Sequence, residues 1–457
     1  MNLSKHIFPL LMILILANAC KQDEVELEEV VVTPPIEVME IEPTGEENYL
    51  QLDSDYIFDQ TKLPTFELTL SQSNLNKINS NPSAEEYVEG ALTFEGETIS
   101  PVGIRYKGSI GAYVGCLSGP GLFSPSGHKT CTKLSMKIKI NWEGRTDKFY
   151  GLKKVQLHSM NQDHSQMRDR LGYWLFAQMG VPTPRAIHAR LIINGEYAGL
   201  FSLVEQIDGR FSRYHFDDGE GNVYKEIWPL TENEELHHDS DYRLALKTNE
   251  DDNPSLTIIK GLGSDVINSE TDDELKEAIE KWMDLDHIIS YSMVDRTIKH
   301  DDGPFHWYCF GGCSPHNFYF VEEPNEQKIH LIPWDLDNTF ENITSPNGVT
   351  NIIDDWGEIS NNCEAFAGLF GIGQKSAACD KLTRGWTLYQ DEFDAKQQDF
   401  FEGPFSEESI ENMINLWSSQ IREATIESAE SFDDAISITT WEQSMDELKN
   451  QCSVARN

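Results

Sequence analysis

The sequence predicts an α+β protein with two lobes, the first rich in β-strands and the second mostly helical. Short stretches of alternating apolar and polar residues dominate the chain up to about residue 207, and they are typical of strands. From about residue 357 onward the pattern is helical and acidic. Strands and helices therefore do not alternate regularly, which argues against a doubly wound α/β sheet. With 39% hydrophobic residues among 457, the chain has enough apolar side chains for a sizeable core.

The first elements are predicted from alternation and from turn residues. A strand at 64–70 is followed by a short helix at 72–79 and by two strands within 91–107. After a loop rich in glycine and proline, residues 132–141 place apolar side chains on one face of a strand. The lysines on the other face are Lys133, Lys137 and Lys139. Three lysines on one strand face indicate either a solvated surface or a surface that contacts phosphate.

The strongest helix prediction covers residues 163–180. Asp163 can cap its start, an apolar stripe runs from Met167 to Met179, and Gly180 ends it. The remaining predicted elements are a hairpin over 186–207 with an Asn194-Gly195 turn, a helix over 284–299, and short strands at 317–321 and 329–334.

The N-terminus has the features of an export signal. Residues 1–19 combine a short basic start with an apolar run too short to span a bilayer, and they end in small residues before Cys20. We expect Cys20 to be lipidated, with ordinary cleavage before an unmodified Cys20 as the alternative. The residues after Cys20 resemble the acidic export tag of surface lipoproteins in Bacteroidetes-type bacteria. The sequence therefore predicts a lipid-anchored protein on the outer-membrane surface, with an acidic, proline-containing linker over 20–62.

Charge and cysteine content restrict the classes of function. Asp and Glu outnumber Lys and Arg by 77 to 36, and the resulting net charge of −41 argues against nucleic acid as a partner. Such a balance suits an extracytoplasmic protein that binds divalent cations. Outside the cytosol cysteines favour disulfides, and one of the seven after Cys20 must stay unpaired. The local pairs expected are Cys116 with Cys131 and Cys363 with Cys379, and a bond between Cys309 and Cys313 is left open.

The most informative stretch lies between residues 301 and 340. Asp302 follows an apolar helix, Asn317 opens a strand, and Asp335 and Asp337 follow the next strand. Side chains at such element ends can converge on one site while the framework stays rigid. Carboxylate and amide oxygens suit Mg²⁺ or Mn²⁺ and, through the metal, phosphate. Each residue alone is more typical of turn capping, but together they predict a site for phosphoryl transfer.

Two other interpretations of this acidic stretch rank lower. The run from Asp335 to Thr339 matches the Asp-x-Asp-x-Thr start of haloacid-dehalogenase-type phosphatases, in which the first Asp is the nucleophile. That fold needs a long alternating α/β domain downstream, whereas the 118 residues after Thr339 have a helical, acidic pattern. A calcium-stabilised scaffold is the second alternative, and the stretch lacks the glycine and the distant Glu of an EF-hand loop.

Several segments, taken in order, resemble the spore-coat-protein-H-like (CotH) kinases, which are atypical secreted protein kinases. The segments are 102–109, 151–154 with the following Asp163 and Met167-Arg168, 193–200, 205–208, 223–225, Asp302-Gly303, Asn317 and 333–337. The resemblance implies an atypical protein-kinase-like fold with a β-rich N-terminal lobe and a mostly helical C-terminal lobe. It implies a kinase-like core over 63–345, and residues 346–457 would complete the large lobe.

The resemblance also implies roles for individual residues. Asp302 would be the acidic residue of the catalytic loop that orients the substrate hydroxyl. Asn317 and Asp335 would hold the metal, with Asp337 as a second candidate. One of Lys107, Lys133 and Lys137 would contact the nucleotide phosphates, and this choice stays open. Lys225 and Arg168 are further ATP-binding candidates, each either a phosphate contact or a partner in an ion pair. Glu205 is the last candidate, in the segment 204–207 where kinases place their hinge.

The implied function is a surface-tethered kinase that transfers the γ-phosphoryl group of ATP to Ser or Thr of extracytoplasmic proteins, itself included. Its cofactor would be Mg²⁺ or Mn²⁺, with ATP as the co-substrate. Its partners would be a secreted or surface protein substrate and, through the lipid on Cys20, the membrane. The alternative is a catalytically inactive, kinase-shaped module for binding or adhesion, because the acidic surface and the lipid anchor fit it equally well.

Overall fold

The structure, a computed structural model, describes residues 52–340, 361–367 and 373–456, apart from 110, 122, 123, 301 and 310. The predicted signal peptide, Cys20, most of the linker and the boundary at 345 lie outside the described residues. Among the helices of the described part, none combines the length and the hydropathy needed to cross a bilayer.

Seven strands form a closed barrel. They are β1 (Thr65–Leu70), β2 (Val88–Phe94), β3 (Glu97–Tyr106), β4 (Met136–Lys139), β5 (Lys154–His158), β6 (Ala186–Ile193) and β7 (Glu196–Val204). Neighbouring strands are antiparallel except for β1 and β6, which close the barrel in parallel. Alternate side chains point inward and form a core of their own, with Phe66, Leu68 and Ile104 fully buried.

Two short helices lie beside the barrel, α1 (Ser54–Ile57) and α2 (Gln72–Ser80). Helix α1 falls within the range for which the sequence predicts an extended linker. Its apolar side chains explain the difference, because Ile57 and Phe58 are buried in the barrel core. The folded structure therefore includes the last ten or so residues of the predicted linker.

The rest of the described chain is mostly helical and shares a second core. Its helices are α3 (Arg168–Gln178), α4 (Gly209–His215), α5 (Asp239–Ala245), α6 (Thr257–Asn268), α7 (Asp272–Trp282), α8 (Leu285–Thr297), α9 (Lys381–Trp386), α10 (Gln390–Glu402), α11 (Glu407–Ser431) and α12 (Ile438–Arg456). Helices α11 and α12 pack together, and α11 contacts β7 of the barrel. Helix α12 contacts the segment before α3, because the Trp441 indole donates to the Ser165 carbonyl.

Two small sheets accompany these helices. The first has the order β12-β11-β8, formed by β8 (Val223–Lys225), β11 (Phe318–Glu323) and β12 (Lys328–Pro333). The second has the order β10-β9-β14-β13, formed by β9 (His306–Cys309), β10 (Cys313–Ser314), β13 (Phe366–Ala367) and β14 (Gly373–Ser376). The antiparallel register of β11 and β12 pairs Phe318 with Pro333, so the start of one strand meets the end of the other.

The predicted α+β class is confirmed, and so are most of the predicted strands. The predicted strand over 132–141 is shorter, because only Met136–Lys139 pairs with its neighbours. The predicted helix over 163–180 begins at Arg168 instead of Asp163. Asp163 lies before the helix and still stabilises its start, since its carboxylate accepts the backbone N–H of Arg168 at 2.8 Å.

The structure contains three disulfides, Cys116–Cys131, Cys309–Cys313 and Cys363–Cys379. The two predicted local pairs are therefore confirmed, and the pair left open is also bonded. Among the cysteines that the structure describes, Cys452 remains unpaired, and it is buried. The Cys309–Cys313 bond closes the β9–β10 hairpin, which follows the loop that carries Asp302.

Candidate active site

A cleft of about 530 Å³ separates the barrel from the β11–β12 sheet. Strands β3, β4 and β5 supply one wall, and the segments around Asp302, Asn317 and Asp335 supply the other. All four predicted acidic and amide residues line this cleft, together with three of the predicted cations. Those cations are Lys107, Lys137 and Lys225. Residues that are far apart in sequence thus form one site with acids and lysines on opposite walls.

Asp302 and Asn317 are joined directly. The Asn317 amide donates to the Asp302 carboxylate at 2.8 Å and to its backbone carbonyl at 3.0 Å. The other carboxylate oxygen of Asp302 accepts the Tyr308 hydroxyl at 2.8 Å. Asn317 has a φ of 53°, a left-handed conformation that asparagine tolerates better than most residues. The backbone therefore turns the Asn317 side chain toward the loop that carries Asp302.

Asp335 is held in place through its backbone. It has a left-handed φ of 60°, its N–H donates to the Tyr173 hydroxyl at 3.0 Å, and its carbonyl accepts from His300 Nε2 at 3.1 Å. His300 is fully buried, and its Nδ1 lies 3.1 Å from the Asp295 carboxylate. Burial alone would lower the pKa of His300, but the Asp295 carboxylate raises it above its ordinary value. These contacts leave the Asp335 carboxylate directed into the cleft.

The two carboxylates after β12 repel each other. Burial raises the pKa of Asp335, with Asp169 adding to the shift and His158 and Lys107 opposing it. Burial and the carboxylate of Asp335 raise the pKa of Asp337 well above its ordinary value. A cation between these two side chains would relieve both effects, because it favours the charged form of each carboxylate.

A divalent metal fits this donor set. Within the described residues, no group of three or more His, Cys, Asp or Glu side chains lies close enough to hold a metal alone. Mg²⁺ is usually bound by one or two carboxylates together with substrate phosphates and water, so it needs no larger protein cage. Asp335 and Asp337, with the amide oxygen of Asn317 just before β11, are the residues that would hold it.

The opposite wall carries an unusual concentration of positive charge. In register, Lys137 on β4 lies beside Arg105 on β3 and Gln156 on β5, and all three line the cleft. Burial and the cations Lys107 and Lys154 are the leading causes that lower the pKa of Lys137 to about 6. The Lys137 ammonium has no hydrogen bond or ion pair within the described part of the chain. A lysine in such surroundings is suited to an anion.

Lys107 lies at the end of β3, between the two walls. Its ammonium is 2.7 Å from His158 Nε2 and 5.3 Å from the centre of the Trp334 ring. Burial lowers the pKa of Lys107 to about 8, while the carboxylate of Asp335 acts against this. Lys225, at the end of β8, pairs with Glu226 at 3.5 Å and lies near both Lys107 and Lys137. Of the three lysines considered as phosphate contacts, Lys107 and Lys137 are therefore the two that line the same cleft as the acidic residues.

Three predicted ATP-binding residues do not line the cleft. Lys133 precedes β4, and its ammonium donates to the Leu200 carbonyl at 2.9 Å beside a different cavity. Arg168 is buried, donating to the Thr339 carbonyl and to the Gln451 side chain, so it ties α12 and the loop after β12 to α3. Glu205 is buried in an ion pair with Arg185. Each of these side chains is already bound by protein groups, and its contact with a nucleotide stays a prediction.

Glu205, the residue predicted at the hinge, directly precedes the residues that line the cleft. Gln206, Ile207 and Asp208 line it, whereas Glu205 points away to Arg185, with oxygens 2.6 and 2.9 Å from the guanidinium. The alternation of an extended segment explains this, because neighbouring side chains point to opposite sides.

Replacing Glu205 with Ala is expected to reduce the free energy of unfolding by about 3–5 kcal/mol, because it leaves the Arg185 charge largely buried without its main partner. The ATP affinity of the folded protein should be unchanged. Asp55→Ala is the matched control, since Asp55 pairs with the same guanidinium but is exposed, and its loss should cost no more than about 1 kcal/mol. Urea denaturation of the two variants checks the difference, and equal losses would contradict the assignment.

Two functional candidates were missed by sequence reasoning. Asp169 and His158 both line the cleft, and both are buried. Asp169 lies in the first turn of α3, whose apolar stripe suggests a helix with a solvated polar face. In the structure the polar residues of that turn are buried as well. Asp169 could have been found in the sequence, because it directly follows Met167-Arg168, a motif already noted for its resemblance to the CotH kinases.

A carboxylate and amide set that faces lysines across a cleft is the kind of site that phosphotransferases use. Residues 104–453 match the family described as CotH kinase protein. Because this match covers well over half of the chain, the protein belongs to the CotH kinase family, and the resemblance seen in its motifs is confirmed. No curated protein matches the chain.

Proposed function

We propose that this protein is a surface-tethered protein kinase that transfers the γ-phosphoryl group of ATP to Ser or Thr of extracytoplasmic proteins, itself included. The observation that carries the proposal is the cleft in which Asp302, Asn317 and Asp335 face Lys107 and Lys137. In this proposal the barrel and the helical part are the two lobes of a kinase-like fold, each with its own core.

In the proposed phosphoryl transfer, the residues on the two walls of the cleft have different roles. Asp302 orients the substrate hydroxyl and accepts its proton, while the Asn317 amide holds the Asp302 carboxylate in position. Asn317, Asp335 and Asp337 hold Mg²⁺ or Mn²⁺, which when bound neutralises charge on the phosphates. Lys107 and Lys137 contact the phosphate oxygens, and Lys225 adds positive charge nearby.

The cellular setting of the proposal comes from the N-terminal residues. The predicted signal over 1–19 and the predicted lipidation of Cys20 support a location outside the cytoplasm, where disulfides such as the three of the described residues are stable. The strongly acidic composition supports a protein partner and opposes nucleic acid.

The first test is the binding of ATP with Mg²⁺ or Mn²⁺ by the chain that begins after Cys20. Lys137→Met is expected to weaken ATP binding about tenfold or more, because it removes a charge-assisted contact. Lys139→Met is the matched control, since Lys139 lies on the same strand but packs near Tyr87 and Trp142, away from the cleft. Equal affinities for ATP in the two variants would contradict the phosphate assignment.

Binding of ATP at pH 7 is also expected to take up roughly one proton. The reason is that an anion raises the pKa of Lys137 from about 6 and that of Lys107 from about 8. The dependence of the calorimetric binding enthalpy on the ionisation enthalpy of the buffer measures this uptake. Lys137→Met should remove most of it, whereas release of protons on binding would contradict the account.

A catalytically inactive binding or adhesion module is the second candidate. One observation favours it, because both carboxylate oxygens of Asp302 already accept hydrogen bonds, from Tyr308 and from Asn317. In addition, the Tyr308 hairpin is closed by the Cys309–Cys313 disulfide. Failure to bind ATP with either metal, together with tight binding to a surface protein, would support this candidate and overturn the kinase.

A further inference from the structure

His158 lies between a lysine and a carboxylate that other elements supply. Its Nε2 is 2.7 Å from the ammonium of Lys107, the residue after β3, and its Nδ1 is 3.3 Å from a carboxylate oxygen of Asp169 on α3. The imidazole is buried and its ring meets Trp334 edge to face. Lys107 has no carboxylate within ion-pair distance in the described part of the chain. The imidazole therefore connects two groups that do not touch each other.

The chemistry of the two partners determines the state of the imidazole. An ammonium group only donates hydrogen bonds, so Nε2 must accept. An ionised carboxylate only accepts, so Nδ1 must carry the hydrogen and donate to Asp169. His158 is consequently a neutral imidazole of defined tautomer. The charged groups that face it are Lys107, Asp169 and Asp335, and burial together with Lys107 lowers its pKa below the ordinary value, which agrees with the neutral form.

The chain of contacts continues into the acidic loop. The second carboxylate oxygen of Asp169 accepts the backbone N–H of Leu336 at 3.2 Å. Leu336 lies between the two carboxylates proposed to hold the metal. Contacts thus run from the lysine on the barrel, through His158 and Asp169, to the loop on the opposite wall of the cleft.

We propose that His158 is a positioning residue that fixes the Lys107 ammonium relative to the Asp335–Asp337 loop. Because its acceptor is neutral, Lys107 is oriented without a paired carboxylate and keeps its charge for phosphate oxygens. This role rests on the proposed function, since phosphate is the ligand that the oriented lysine serves. Nucleotide binding and metal binding would both depend on the same buried contacts.

Two conservative variants separate the two hydrogen bonds. In His158→Asn the amide nitrogen can take the place of Nδ1 and keep the bond to Asp169, but nothing reaches Lys107. In His158→Gln the longer side chain can present an oxygen to Lys107, and the bond to Asp169 is lost. His188→Asn is the matched control, since His188 is equally buried in the barrel but bonds to Arg170 and the Gln166 carbonyl, outside the cleft.

The decisive readout needs no nucleotide. Acylation of lysines is followed by peptide mass spectrometry in the ATP-free protein, with Lys137 as internal reference. We expect His158→Asn to raise the labelling rate of Lys107 about tenfold, because the amine no longer has to leave its hydrogen bond, and His158→Gln and His188→Asn to change it less than about twofold. A parent-like rate in His158→Asn would overturn the proposal, as would equal increases in all three variants, which would indicate a structural effect only.

ATP binding then distinguishes this role from the proposed function. His158→Asn should raise the Kd for ATP about tenfold, whereas His158→Gln should bind ATP within about threefold of the parent and lose transfer rate, because its acidic loop is no longer held. A parent protein that binds no ATP would refute the kinase, and the labelling result would still decide whether His158 positions Lys107.

Discussion

Replacing Asp337 with Asn is expected to stabilise the metal-free protein at neutral pH and to reduce phosphoryl transfer at least about a hundredfold. The loss of transfer follows from the loss of a proposed metal ligand, because a bound metal would supply several kcal/mol of charge stabilisation in the transition state. The gain in stability follows from removal of a carboxylate whose pKa is raised by burial and by Asp335.

The pH dependence of this gain has a definite sign. The pKa of Asp337 is higher in the folded protein than in the unfolded chain, so the folded protein binds more protons between these two values. The contribution of Asp337 to stability therefore falls as the pH rises above about 3.8, by about 1.4 kcal/mol for each unit of pKa difference, until the folded-state pKa is passed. Asp337→Asn should lose this slope, so its advantage should be absent at low pH and largest at neutral pH.

Urea denaturation at pH 4 and pH 7, with and without Mg²⁺ or Mn²⁺, measures both effects. The metals should stabilise the parent and have less effect on Asp337→Asn. Glu250→Gln is the matched control, because Glu250 also lines the cleft but is exposed, and it should respond to metals like the parent. An Asp337→Asn variant that is less stable than the parent at pH 7 without metal would contradict the account of the acidic loop.

Replacing Asp302 with Asn is expected to lower the rate of phosphoryl transfer by about two to four orders of magnitude while leaving ATP affinity within about twofold. Asparagine cannot accept the proton of the substrate hydroxyl, but it is close in size to aspartate and can still accept the Tyr308 hydroxyl. Single-turnover kinetics and an ATP titration measure the two quantities separately. A parallel loss of ATP binding and transfer would mean that Asp302 supports the cleft and does not act on the substrate.

Local sequence patterns predicted the parts of the fold that depend on neighbouring residues. The β6–β7 hairpin has the expected Asn194-Gly195 turn, and both residues adopt the positive φ that such a turn requires. Closure of the barrel was not predicted, since it depends on the pairing of β1 with β6, more than a hundred residues apart. Alternation along each strand shows which face is buried but not which strand is its neighbour.

The sequence predicted the acidic and amide residues on one wall of the candidate site, but only some of the residues on the opposite wall. Asp302, Asn317 and Asp335 come from short segments next to apolar strands or a helix, so their convergence could be inferred from element ends. The choice among the lysines could not be made, because it depends on where β4 begins. The strand begins only at Met136, so Lys133 lies outside it and the alternation of strand side chains does not place Lys133 on the same face as Lys137.

The predicted site residues that lie outside the cleft share one physical feature, which is burial by partners that are distant in sequence. Glu205 looked like a hinge contact because nothing nearby in sequence shows that Arg185 binds it. Arg168 was expected either at phosphate or in an ion pair, and its partners include the loop after β12 and α12, one of them 283 residues away. Sequence patterns identify charged residues, but only the fold shows which of them are already paired.

The intact mass of the chain that begins after Cys20, incubated with ATP and Mn²⁺ or Mg²⁺ beside its Asp335→Ala variant, tests the central claim most directly. The account predicts phosphate adducts on the parent alone, with metal required, which would establish phosphoryl transfer and assign Asp335 to it. Adducts of equal amount on both proteins would contradict the assignment of the site. Absence of adducts together with absence of ATP binding would contradict the kinase itself.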